Sequence, residues 1–273
     1  MKNNKHNSPE ISMAKNADIH ELYEEAVQSV DNEVEFIEST FLALRNRSAK
    51  TFREDFCGTA SLCCAWVRGS SDRYAIGVDI DQKVLDWGKK NRINHLPEID
   101  RPRVTLINQD VMKVNTNKVD LVGAFNFSYW AFKSRQQLRE YFITVHNSLV
   151  DDGLLFLDAY GGSEAYEVLK EKTKCDGFTY IWRQSSYEPV TGNIICHIDF
   201  KFPDGSKIKK AFSYYWRLWS LPEIREVLID SGFNNVRVYW EGEDDEGEGS
   251  GEFYEESKGE ADPGWIAYIV AEK

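Results

Sequence analysis

The fold is decided by residues 51–79, TFREDFCGTASLCCAWVRGSSDRYAIGVD. Thr51–Phe56 predicts a short strand. Gly58, Thr59 and Ala60 form a turn of small residues that runs into a helix over Ser61–Val67, and Tyr74–Asp79 predicts a second strand. Strand, tight turn, helix and strand make a βαβ unit, whose crossover sets the two strands parallel. In an open α/β sheet, ligands bind beyond the carboxyl ends of the strands. Backbone N–H groups of a small-residue turn approach a ligand closely there. Asp79 closes the second strand, 25 residues after Glu54. A carboxylate at that position accepts two hydrogen bonds from a ribose diol, the alternative being a surface turn residue.

The pattern continues outward. Asp81 N-caps a helix running to about Asn94. Val104–Asn108 predicts a strand, and Asp110 just after it can accept a bond from an adenine amino group or serve as an Asx turn or cap. Val119–Phe125 is nearly all apolar, as in a strand buried on both faces. Ser134 and Gln137 form a capping box for a helix over Ser134–Leu149. Asp152-Gly153 turns the chain into a strand over Leu154–Ala159. A helix around Glu164–Lys172 follows. Strands over 178–185, 193–200 and 207–215 then predict an antiparallel insertion spanning about 176–216. Ser220 and Glu223 form a second capping box, and Val236–Trp240 and Trp265–Val270 are the last strands. Upstream, Leu22, Ala26, Val30, Val34, Ile37 and Phe41 recur at helical spacing, predicting one helix over 18–44. Residues 1–17 read as a frayed polar tail without the apolar stretch of a secretory signal. A single domain over 18–273 results.

Composition narrows the function. The chain has 273 residues, 42% of them hydrophobic and 13% aromatic, enough for a sizeable core. No apolar run is long enough to cross a membrane. The net charge is −12, and Glu241–Glu260 holds ten acidic residues and one lysine, leaving −3 elsewhere. That balance disfavours nucleic acid as a partner. The acidic run reads as a solvated loop or as a lip that attracts a cation. Five irregularly spaced cysteines and no C-x-x-C pair argue against a disulfide framework and for a reduced, cytoplasmic setting. Five scattered histidines form no metal motif, so no metal is expected.

With strand-end acids at Glu54, Asp79 and Asp110, the chain resembles the class I S-adenosylmethionine (SAM) dependent methyltransferases. Arg53–Ala60 is similar to their first motif, with Glu54 or Asp55 in the place of the acid and Gly58 in that of the middle glycine. Phe56 and Ala60 stand where that motif carries its outer glycines. The strings Arg-Glu-Asp-Phe-Cys-Gly-Thr and Asn-Phe-Ser-Tyr also resemble an uncharacterised bacterial subgroup. The resemblance implies a Rossmann-like, doubly wound α/β fold with a mostly parallel seven-stranded sheet and an antiparallel β insertion. It implies SAM held by Arg53, Glu54, Asp55, Gly58, Thr59, Ala60, by Asp79 and Ile80, by Asp110 and Val111, and by Asn126 and Phe127. It implies methyl transfer to a small-molecule acceptor. Asn126-Phe127-Ser128-Tyr129 resembles the Asn-Pro-Pro-Tyr box of amino-group methyltransferases with both prolines replaced. The alternative is that Asn126 caps the strand end and the aromatics line a pocket.

Tyr129, Trp130, Tyr215, Trp216 and Arg217 are the candidate acceptor contacts, with Tyr214 and Trp219 beside them. Aromatic faces stabilise a sulfonium or ammonium by cation–π attraction. Arg53, Arg135 and Arg217 suit an anionic acceptor instead. If a general base is needed, Tyr129 and His197 are the candidates. Two other readings stand beside this one. A SAM- or nucleotide-binding regulatory protein without catalysis is compatible with the altered turn. An NAD-dependent oxidoreductase is compatible with Asp79, but the turn lacks G-x-G-x-x-G.

Overall fold

A computed structural model describes residues 12–243 and 249–273. A short turn of helix, α1 (Met13–Asn16), precedes α2 (Ile19–Val27) and α3 (Val30–Arg45). Then come β1 (Thr51–Asp55), α4 (Ser61–Gly69), β2 (Tyr74–Asp79), α5 (Gln82–Asn91), β3 (Val104–Asn108), β4 (Val119–Ala124), α6 (Arg135–Ser148) and β5 (Leu149–Gly161). Strands β1 to β5 pair in parallel with the neighbour order 3-2-1-4-5. The order reverses between β1 and β4, which opens a crevice at their carboxyl ends. Every residue of β4 is buried, because helices cover both faces of the sheet. α3 and α4 pack on one face through Ile37, Phe41, Cys63 and Trp66. α6 packs on the other through Leu138, Tyr141 and Phe142, beside Ile224 and Val227 of α7 (Leu221–Asp230).

The insertion is a separate four-stranded antiparallel sheet in sequential order: β6 (Leu169–Cys175), β7 (Phe178–Glu188), β8 (Asn193–Lys201) and β9 (Lys207–Arg217). It therefore spans 169–217 rather than 176–216. The extra strand is the segment expected to be helical; Glu164–Lys172 instead forms a single 3-10 turn, Ser163–Tyr166, and the start of β6. After α7, β12 (Trp265–Glu272) completes the main sheet by pairing antiparallel with both β5 and β10 (Asn235–Glu243). An eighth strand, β11 (Gly249–Glu255), pairs with β10 at the edge, so the sheet exceeds the seven strands expected. Part of the acidic run is thus strand, while 244–248 and the first eleven residues of the tail lie outside the described residues.

The helix expected over 18–44 is broken. Gln28 is extended and Ser29 is non-helical, and α3 restarts with Asp31 and Glu33 in its first turn. The two halves bury their apolar faces in different places. Leu22, Tyr23 and Ala26 of α2 pack on the insertion sheet, whereas Ile37 and Phe41 of α3 pack on the main sheet.

Candidate active site

The turn after β1 keeps a glycine-like path without the glycines. Phe56, Gly58 and Ala60 all have positive φ, at 60°, 52° and 58°. A side chain in that conformation costs about 1–2 kcal/mol, so packing holds Phe56 and Ala60 there: Ala60 is fully buried and Phe56 packs on Tyr141 and Phe132. Asp79 ties this turn to the next. Its carboxylate accepts from Gly58 N at 2.9 Å and from Asp81 N at 2.9 Å. Helix α5 presses on the turn, and a Cβ on Gly88 would stand 2.2 Å from the Thr59 carbonyl oxygen.

Under the turn, Arg53 and Asp55 point to the α6 face and pair with each other at 2.9 Å, both fully buried, while Tyr141 donates to Asp55 at 2.9 Å. Glu54 points to the opposite face, where the Cys63 thiol donates to it at 3.1 Å. Burial, with Glu33 and Asp79 nearby, pushes Glu54 up to about 8. Glu33, on α3, is likewise pushed up to about 8 by burial and by Asp158. Asp158, on β5, is raised to about 7 by burial although it accepts from the consecutive N–H groups of Asn126 (2.7 Å) and Phe127 (2.9 Å). Asn126 and Phe127 adopt φ of 55° and 57°, forming a nest that closes on that carboxylate. Among the described residues, no cation contributes to the shifts of these three carboxyls. Among the described residues no cluster of His, Cys, Asp and Glu is suited to a metal ion.

Helix α2 lies across this crevice. Glu24 accepts from the Thr59 hydroxyl and from Arg92 Nε at 2.6 Å. Trp87 of α5 donates to Asp18 at 2.7 Å, and Tyr23 packs on Phe212 with ring centroids 4.9 Å apart. α2 is thereby pinned to the turn on one side and to the insertion on the other.

A cavity of about 530 Å³ opens between the carboxyl end of the main sheet and the concave face of the insertion. Asn126, Phe127 and Tyr160 line it from the main sheet, and Tyr23 and Val27 from α2. Tyr180, Trp182 and Gln184 of β7 and Tyr214 and Trp216 of β9 supply the opposite wall. Their spacing of two is the pleat of a strand. Gln184 is buried, donates to the carbonyls of Ala165 and Glu167 at 2.7 and 2.9 Å, and accepts from Tyr160 at 3.2 Å. Glu164, Glu171 and Glu241 stand at the rim.

The sequence candidates fall into four groups. Gly58, Thr59, Ala60 and Asp79 surround the first turn, with Glu54 beneath it; Asn126, Phe127 and Trp216 line the cavity. Ile80 is 75% exposed, Val111 is buried, and Asp110 caps its own loop by accepting from Met112 N at 2.9 Å. The rest do not reach the cavity. Tyr129 is fully buried and donates to the Asp158 carbonyl at 2.8 Å, which leaves it no role as an exposed base. Trp130 lies behind Tyr160. His197 is on the opposite face of β8, bonded to Ser213 at 2.8 Å. Tyr215 is 60% exposed on the opposite face of β9. Arg217 covers Trp219 and pairs with Glu223, and Arg135 pairs with Asp230. Asp158, Glu33, Glu24 and Trp182 are candidate site residues that sequence reasoning missed. Asp158 carried a signal: an acid inside the apolar run Leu154–Ala159.

No protein-family model matches this sequence, and no curated protein matches it. Solved structures do match in three dimensions. A SAM-dependent methyltransferase from Clostridium acetobutylicum superposes with a TM-score of 0.68 at 17% identity, covering 93% of this chain and 96% of that one. The amino pentose methyltransferase CalS10 from Micromonospora echinaspora, solved with SAM bound, gives 0.66 at 14% identity, covering 94% and 97%. The sugar N-methyltransferase KedS8 from a Streptoalloteichus species gives 0.63 at 13% identity, covering 94% and 93%. The chain thus has the Rossmann-like α/β fold of these methyltransferases.

Proposed function

We propose that the protein is a SAM-dependent methyltransferase acting on a small-molecule acceptor. One observation carries the reading. Glu54 and Asp158 near the carboxyl ends of β1 and β5, and Glu33 of α3, are buried with raised proton affinity and, among the described residues, no cation among its causes. SAM is a sulfonium that also bears an ammonium, so it fits that donor set. The turn Phe56–Ala60 offers backbone to its methionine end, Asp79 its carboxylate to the ribose, and the loop at Asp110 and Val111 an edge for adenine. The fold shared with CalS10 and KedS8, which act on sugars, supports a small acceptor in the cavity lined by Asn126, Phe127 and Trp216. The strings at 53–59 and 126–129 are consistent with an uncharacterised bacterial methyltransferase subgroup.

SAM carries an activated methyl group, and the protein's task is to align, enclose and exclude water. Asp158 fixes the Asn126-Phe127 turn at the junction of cofactor crevice and cavity. α2, held by Glu24, covers the crevice. The insertion shields the acceptor from solvent. Titration with SAM, S-adenosylhomocysteine (SAH) and NAD by calorimetry tests the assignment. Micromolar binding of the first two and none of NAD is expected. Binding of NAD alone, or of nothing, would overturn it; SAM binding without transfer to any of a broad set of acceptors would favour a regulatory protein.

A further inference from the structure

We infer that the cavity between the main and insertion sheets takes a small organic amine in its cationic form, and that the amine nitrogen accepts the methyl group. The inference rests on the methyltransferase reading and names its substrate class.

The argument starts with charge. Among the described residues, the side chains lining the cavity include three glutamates, at 164, 171 and 241, and no Lys, Arg or His. Burial raises the proton affinity of Tyr160 and Tyr180, and Glu171 beside the wall adds to it in both. Asp158 and Glu33 lie behind the floor, where they add to the burial that raises Tyr23. An anionic acceptor would meet these carboxylates with no counter-charge, at a cost that rises with burial.

The walls supply the second, independent observation. Tyr214 and Trp216 stack with centroids 4.3 Å apart, and Trp182 lies 6.2 Å from each. Phe127 and Tyr160 face them, 4.8 Å from one another. Such surfaces hold organic ammonium by attraction to the π faces. The pleat sorts the insertion's neighbouring side chains accordingly. Trp182 and Trp216 turn inward, and the adjacent Arg183 and Arg217 turn outward to Asp199 and Glu223. Trp182 and Trp216 thus face the cavity, while the guanidinium groups of Arg183 and Arg217 face away from it.

Attack requires the neutral amine. One proton first leaves the ammonium for water or for the exposed rim carboxylates of Glu164 and Glu171. The nitrogen lone pair then forms the N–C bond as the S–C bond breaks, with the electron pair remaining on sulfur as a neutral thioether. The product amine is again protonated.

The test compares two probes of one shape on protein saturated with SAH: choline, a cation, and 3,3-dimethylbutan-1-ol, its neutral isostere. Tryptophan fluorescence reports binding. Choline is expected to bind about tenfold tighter or more. Glu171→Gln and Trp182→Leu should each reduce that preference at least about threefold, with SAH affinity unchanged. Equal or tighter binding of the alcohol overturns the inference while leaving the methyltransferase reading intact. So does the absence of choline binding at about 10 mM in protein that binds SAH. Failure of SAH itself to bind overturns both.

Discussion

Asp79 holds two backbone N–H groups, those of Gly58 and Asp81, before any ligand arrives. It therefore shapes the cofactor turn as well as offering lone pairs to a ribose. Asp79→Ala should weaken SAH binding at least about tenfold by calorimetry, with the far-ultraviolet circular dichroism unchanged; full affinity in the folded variant would sink the assignment. Asp55 lies two residues from the same turn with a different role. Its partner Arg53 is fully buried, so Asp55→Ala strands a guanidinium in the core and should cost about 3–5 kcal/mol in urea unfolding. A loss under 1 kcal/mol, roughly the worth of an exposed pair, would contradict that. The local signals at 53–60 located the turn but not the division of labour inside it. Alternation along β1 sends Arg53 and Asp55 to one face and Glu54 to the other, and only the packed helices show what each meets. Phe56 and Ala60 looked like departures from a glycine motif, yet they keep left-handed backbone because the core holds them.

At the scale of elements, α2 joins three parts of the molecule that the sequence alone does not bring together: the first turn, α5 and the insertion. Glu24 is the joint, accepting from Thr59 and from Arg92. Glu24→Ala removes charge-assisted bonds worth about 1.5–3 kcal/mol each to a partly buried site. Faster amide hydrogen exchange over 19–27 is expected, together with a SAH off-rate raised about tenfold. Unaltered exchange there would show that α2 is held by its apolar face alone. The strand–helix alternation from β1 to β5 was legible because its periodicities and caps are strong: Asp81, Ser134 and Ser220 all accept at their helix starts, although of the two capping boxes expected only the one at Ser220 and Glu223 closes. β6 was not legible. Leu169–Cys175 is rich in Lys and Glu, good helix formers, and pairing with β7 overrides that preference. β11 hid in the acidic run for a related reason: charged residues suit an edge strand that must not recruit another chain. The break at Gln28–Ser29 was masked because both halves keep helical spacing while facing different cores.

Across the whole molecule, buried carboxyl groups converge on the crevice from elements far apart in sequence: Glu33 from α3, Glu54 from β1 and Asp158 from β5. Their raised values near 8, 8 and 7 mean that the folded protein binds more protons than the unfolded chain between the ordinary carboxyl range and those values. These groups therefore favour the fold fully at acid pH, and that contribution falls as pH rises toward about 8. A cationic ligand reverses the balance, because it stabilises the ionised carboxylates and expels their protons. SAM binding should release protons near neutral pH, visible as a dependence of calorimetric enthalpy on the ionisation enthalpy of the buffer. Its affinity should climb about tenfold between about pH 6 and about pH 8. The apoprotein's melting temperature should fall over the same interval. Glu33→Gln should diminish both the proton release and the fall in melting temperature, since it replaces a titrating buried acid with a neutral one. SAM binding without proton release would show that these carboxyls do not meet the cation, and the electrostatic basis of the site would have to be sought elsewhere in the crevice.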